Sequence, residues 1–101
     1  MKKMIILNAV ILSLSSINAF AYSKSYCREI LIKELGRSES EAYQSCGNSE
    51  NFNDCVVDVV RLGYRPQDGY SNCSSNSTFN SCVIQRIKKG DSPHAAYQSC
   101  G

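Results

Sequence analysis

The stretch Cys55-Val56-Val57-Asp58-Val59-Val60-Arg61-Leu62-Gly63-Tyr64-Arg65-Pro66-Gln67-Asp68-Gly69-Tyr70-Ser71-Asn72-Cys73 decides the fold. It opens and closes on Cys, with an apolar run in its first half and a Gly at its centre. The β-branched run would suit a strand as well as a helix, so the flanks must decide. Asn53 suits an N-cap, because its side-chain oxygen accepts from an open amide of the first turn. Phe52 before it and Val57 after it are spaced as a hydrophobic staple. Gly63 reads as the left-handed stop of that helix. Pro66 then fits the first position of a second helix, where a missing amide costs nothing, although Arg65 is a poor cap. The stretch therefore reads as two short antiparallel helices about a glycine bend.

The same unit is written three times. The Cys positions are 27, 46, 55, 73, 82 and 100, and the central glycines are Gly36, Gly63 and Gly90. Each Gly stands ten positions before its closing Cys, and nine, eight and eight positions after its opening Cys. The period is 27, with one extra residue in the first unit. Six positions after each Gly stand Ala42, Gly69 and Ala96, and seven after it stand Tyr43, Tyr70 and Tyr97. A fixed period of this size marks a repeat architecture. Phe79, Asn80 and Ile84 repeat the staple and cap of the second unit, whereas the first unit offers only Ser25 as a cap behind Lys24. Ser38-Glu39-Ser40-Glu41 has the form of a capping box, and Ser92-Pro93 places a cap before an N-terminal Pro. The segments between units, such as Gly47 to Asp54, read as polar loops.

Helices of about eight residues span about 12 Å each. An antiparallel pair of that length brings the opening and closing Cys of one unit side by side. The expected bridges are therefore Cys27–Cys46, Cys55–Cys73 and Cys82–Cys100. The rival scheme joins Cys46 to Cys55 and Cys73 to Cys82 across the loops. Each expected bridge closes a loop worth about 3 kcal/mol in the chain-entropy model. Helices this short are not stable alone, so the bridges carry the fold.

The N-terminus explains why disulfides are expected at all. Lys2 and Lys3 precede an apolar run from Met4 to Leu14, and Ala19-Phe20-Ala21 follows with small residues two apart. That is a secretory signal peptide with its cut after Ala21. An exported small chain with six Cys reads as a disulfide scaffold. The expected organisation is a signal peptide at 1–21 and one domain at 22–101, built of units 25–47, 53–74 and 80–101. The fold class is all-α: three tandem disulfide-stapled hairpins, about six short helices, stacked as an array or closed into a bundle. The expected location is secreted or periplasmic, with no stable membrane anchor.

Loss of Lys2 and Lys3 reduces eleven Lys and Arg to nine, against nine Asp and Glu. The processed chain is thus neutral, and nucleic acid is not an expected partner. Zinc is not expected, because no two Cys have ligand spacing and His94 is the lone His. Cys-x-x-Cys and phosphate-loop motifs are also absent. No cofactor, metal or enzymatic activity is expected, since a site needs several converging groups. Two sets of residues are candidates for binding. The column Tyr43, Tyr70 and Tyr97 either packs over its own disulfide and the opposite helix or forms a row for a sugar or peptide. Arg86, Lys88 and Lys89 either complement the end of a helix dipole or contact an acidic partner or anionic lipid. The expected role is a non-catalytic binding or inhibitory module facing an extracellular or periplasmic protein. A membrane-active toxin or antimicrobial factor and a structural envelope protein are the alternatives.

Overall fold

The computed structural model describes residues 21–101; the expected signal segment lies outside the described residues except for Ala21. The described chain forms six helices and no strand. In chain order they are α1 (Lys24–Glu29, continuing as a π-helical turn over Ile30–Glu34), α2 (Glu39–Ser45), α3 (Glu50–Arg61), α4 (Pro66–Asn72), α5 (Ser77–Lys88) and α6 (Pro93–Cys100). Consecutive pairs make three hairpins. The bridges join Cys27 to Cys46, Cys55 to Cys73 and Cys82 to Cys100, with Cα–Cα distances of 6.0, 5.9 and 5.9 Å.

The bends are those the glycines dictate. Gly36, Gly63 and Gly90 have φ of 71°, 104° and 116°. At the second and third bends the chain closes a Schellman turn: Gly63 N donates to Val60 O and Tyr64 N to Val59 O, and Gly90 and Asp91 repeat the pair on Ile87 and Arg86. The first bend differs by one residue, since Arg37 N reaches back to Leu31 O and Leu35 N to Ile30 O. Those wide turns absorb the extra residue between Cys27 and Gly36. An insertion inside a helix is accommodated as a π bulge, which leaves both ends of the unit in register.

The second helices begin as expected. Ser38 Oγ accepts from Glu41 N while the Glu41 carboxylate accepts from Ser38 N, both at 3.1 Å. Ser92 caps α6 on Ala95 N. Arg65 is relieved by Asp68, whose carboxylate accepts from Arg65 N at 3.2 Å.

The first helices begin earlier than expected, and this is a correction. The caps are Ser23, Ser49 and Asn76, not Ser25, Asn53 and Asn80. Helices α3 and α5 run for 12 residues rather than about eight, so the expected loop at Gly47–Asp54 is largely helix. Asn53 and Asn80 lie inside their helices, 0% and 6% exposed. Asn53 Oδ1 accepts from Gly47 N at 2.7 Å, and its Nδ2 donates to Gly47 O and Tyr22 O. Asn80 does the same on Ser74 N, Ser74 O and Asn51 O. An amide side chain with both acceptor and donors can tie a turn and a neighbouring unit together, which a capping role would not do.

The hairpins stack in a row. Helix α3 packs on both α1 and α5, and α4 on both α2 and α6. First helices form one layer and second helices the other. The core runs between the layers through Ile30, Leu31, Val56, Val57, Val59, Val83, Ile84 and Ile87, with Ala42 and Ala96 fully buried beneath. At Gly69 the layers approach closely: a Cβ there would meet Val56 Cα at 3.0 Å.

Departures from the repeat fall where the stack ends. Val56, Val57, Val60 and Pro66 are buried, as are their third-unit counterparts Val83, Ile84, Ile87 and Pro93. The same columns in the first unit hold Arg28, Glu29, Lys33 and Glu39, of which the last three are exposed. At the other end, Leu31 and Val59 are buried but their counterpart Arg86 is exposed, and Lys89 stands where Leu35 and Leu62 are half-buried. A repeat array needs polar terminal units, because nothing covers their outer faces. Restoring the internal pattern with Arg86→Val and Lys89→Leu should therefore make the protein self-associate. Each apolar side chain so exposed leaves about 1.5–3 kcal/mol of burial unrealised. Size-exclusion chromatography across a hundredfold concentration range checks this; a variant that stays monomeric throughout contradicts the end-cap role.

Candidate functional site

Helices α2, α4 and α6 each turn their small residue inward and the next residue, a Tyr, outward. Tyr43, Tyr70 and Tyr97 are 58%, 58% and 41% exposed. They occupy one column of a stacked layer, one per unit. Each is steadied by the first helix of its own unit. Phe52 meets Tyr70 edge to face at 5.8 Å between ring centroids, and Phe79 meets Tyr97 likewise at 5.4 Å. In the first unit Lys24 stands in the Phe column, and the Arg28 guanidinium instead lies 3.9 Å from the Tyr43 ring centroid. Such contacts hold a ring's orientation and contribute about 0.5–1.5 kcal/mol each. Phe52 and Phe79 therefore serve the tyrosines rather than a staple at the helix start.

Tyr43 shares a groove with Arg28, Glu29, Lys33 and Glu39, whereas Tyr70 and Tyr97 have uncharged polar neighbours on their own helices. Gln44, Gln67, Ser71, His94, Gln98 and Ser99 are the exposed polar residues beside the rings on these helices. A groove of about 380 Å³ between α2 and α4 is lined by Gln44, Ser45, Gln67, Tyr70 and Ser71. A larger one of about 600 Å³ lies at the open tip of the third unit, where Phe79, Tyr97, Cys82 and Cys100 meet Ser74, Asn76 and Thr78. The charges on the second helices are Glu39, Glu41 and Asp68, all in first turns at the bend end. There acidic groups complement the open amides of the helix start. The disulfide end, which carries the tyrosines, has none.

Glu41 shows how those charges are used. Arg37 Nη2 lies 2.8 Å from its carboxylate, and this bond with the Ser38 amide holds the Glu41 carboxyl at about 2, well below the usual carboxylate range. A depressed folded-state value means the stabilisation is present above the unfolded value of about 4.3 and is lost as pH falls through the folded value. Melting temperature should accordingly fall between pH 4 and pH 2, and the Glu41→Gln variant should lose much of that slope. An identical slope in the variant would place the acid sensitivity in another carboxylate, though not in Asp54 or Asp58, since a raised carboxyl favours the folded state as pH falls. Burial pushes both of those upward.

The basic candidates are distributed differently. Arg86 Nε lies 2.8 Å from Asp91 across the bend, Lys88 borders a groove with Asp58 and Arg61, and Lys89 is the C-cap of α5. All three belong to the first-helix layer, apart from the tyrosine column, with Lys88 facing α3 rather than the array's end. His94 is exposed at the second position of α6. No group of three or more His, Cys, Asp or Glu is placed to hold a metal among the described residues. None of the described helices is long and apolar enough to cross a membrane.

Spacing alone located Tyr43, Tyr70 and Tyr97, but not Gln44, Gln67 and Ser71 beside them. Gln67 could have been found, since it lies three positions before Tyr70 and hence on the same helical face. Gln44 and Ser71 each follow a Tyr by one, on the adjoining face, and only the packing of α2 on α4 brings them into one groove. Comparison with protein-family models, with curated proteins and with solved structures found no match for this chain.

Proposed function

We propose that the protein is an exported, non-catalytic binding module whose contact surface is the layer of second helices, with Tyr43, Tyr70 and Tyr97 as anchors and Gln44, Gln67, Ser71 and Gln98 as hydrogen-bonding partners. One observation carries this: a three-unit row of exposed, laterally braced tyrosines lies on the second-helix layer, with no charged residue of that layer at the disulfide end. Tyrosine offers large contact area with little conformational entropy to lose, and small amides and hydroxyls adapt to a partner's polar groups. Stacked repeats extend such a surface in one direction. The three disulfides accord with the oxidising compartment into which the N-terminal segment would direct the chain. The uncharged stretch about Tyr70 and Tyr97 fits an uncharged partner, a peptide or a sugar chain, recognised by shape and hydrogen bonds.

The test uses the oxidised protein beginning at Tyr22. It is presented to purified proteins and polysaccharides from the extracellular or envelope material of the source. Whatever binds is measured against the triple variant Tyr43→Ser, Tyr70→Ser, Tyr97→Ser. The expected result is an unchanged circular-dichroism spectrum and at least tenfold weaker binding, about 1.4 kcal/mol. Binding that survives the triple change, in a variant that is folded, places the contact surface elsewhere.

A further inference from the structure

We propose that the α-amino group of Tyr22, released by cleavage after Ala21, docks on the Asp54 carboxylate and locks the first repeat onto the second, so that export processing completes the fold. This rests on the reading of residues 1–21 as a signal peptide. The receiving site is already assembled around residue 22. Its backbone nitrogen donates to Asp54 Oδ1 at 2.7 Å, and its carbonyl accepts from Asn53 Nδ2 at 3.0 Å. Its ring meets Tyr26 edge to face at 5.3 Å, and Ser23 next to it caps α1 on Tyr26 N. Every polar backbone group of Tyr22 is thus engaged by α3, the first helix of the following unit.

Among the described residues, that carboxylate has no cationic partner. Asp54 lies in a groove with Asn51, Asp58 and, from α5, Ser77, Asn80, Ser81 and Gln85. No Lys or Arg among the described residues lines it, and Glu50 and Asp58 on the same helix are both acidic. Burial and these neighbours push the Asp54 carboxyl upward, which the neutral Tyr22 amide only partly offsets. Hydrolysis of the Ala21–Tyr22 bond by a signal peptidase consumes one water, leaves a carboxylate on Ala21 and frees an amine on Tyr22. The amine takes up a proton and becomes an ammonium, at the atom that already contacts Asp54. A hydrogen bond from a charged donor to a carboxylate is about twice as strong as its neutral counterpart.

Four proteins test the lock: the chain beginning at Tyr22, the same chain acetylated on its α-amine, Asp54→Asn beginning at Tyr22, and the acetylated Asp54→Asn chain. In the first, the α-amine should titrate at least about one pH unit above its ordinary value near 8, followed by NMR. Asp54→Asn should return it to the ordinary value. Acetylation and Asp54→Asn should each raise the unfolded fraction about tenfold at pH 7, and combining them should add little, because both remove one interaction. The raised amine stabilises at neutral pH, and the gain over the acetylated chain should vanish as pH rises through the folded value. An α-amine that titrates at its ordinary value, or effects that simply add, overturns the lock while leaving the export reading intact. An exported protein whose mass shows a first residue other than Tyr22 overturns the coupling to processing, and a chain that keeps residues 1–21 overturns the export reading itself.

Discussion

Replacing Cys55 and Cys73 together by Ser should cost about 3–5 kcal/mol and sharply lower the denaturation midpoint. Loop closure alone, over a separation of 18 residues, accounts for about 3 kcal/mol of this. The remainder comes from position. Cys55 and Cys73 are 2% and 9% exposed, in the unit that packs on both others. Two Ser hydroxyls there would be buried where sulfur made none of their hydrogen-bonding demands. A domain of this size has a total stability of only about 4–12 kcal/mol, so the loss is a large share of the whole. The bridge Cys82–Cys100 makes the comparison, because both of its Cys are only half-buried and its unit has one neighbour. Its removal should fray the third hairpin and leave the first two folded. Denaturant titration followed by circular dichroism, with hydrogen exchange read per unit, checks both statements. Equal effects of the two double replacements would mean that the stack is not nearest-neighbour in character.

The parts of this fold that could be read from residues alone are those set by local chemistry. Gly36, Gly63 and Gly90 mark the bends because a left-handed backbone is costly for any other residue. Ser38, Ser92, Pro66 and Pro93 mark helix starts for equally local reasons. The Cys pairing followed from the spacing about those bends. Asn53 and Asn80 were misread because two roles share one residue type. An Asn two positions before a Cys looks like a cap, and only the position of the preceding hairpin shows that Gly47 and Ser74 need a partner more. The end caps were legible in principle, since Arg28, Glu29, Lys33, Arg86 and Lys89 interrupt apolar columns. Seeing them required knowing that the units stack in a row, which the sequence left open between an array and a bundle. The tyrosine column was visible, but its bracing by Phe52, Phe79 and Arg28 depends on how far the first helices extend toward the tips. Expecting helices of about eight residues put the two phenylalanines outside the helix and out of reach.

Asn53→Ala should be the most damaging single substitution of a polar residue, at about 3 kcal/mol. The side chain makes three hydrogen bonds, to Gly47 N, Gly47 O and Tyr22 O. Alanine would orphan all three backbone groups, and a buried polar group without a partner costs about 1–3 kcal/mol. Water can reach Gly47, which is half-buried, so the costs do not simply add. Asn53→Asp separates the contributions. The carboxylate would keep the bond from Gly47 N but would face the carbonyls of Gly47 and Tyr22 with no proton to donate. It should therefore cost at least as much as Ala, although Asp is almost the same size. Asn80→Ala should behave alike through Ser74 and Asn51, but loosen only the junction between the second and third units. Amide exchange at Gly47 and Ser74 gives the local reading, and the change in denaturation midpoint gives the total. An Asn53→Asp variant as stable as the parent would show that the acceptor alone holds the turn. The stacking of one unit on the next would then rest on the apolar columns, and the tyrosine row would be spaced by packing rather than by these two amides.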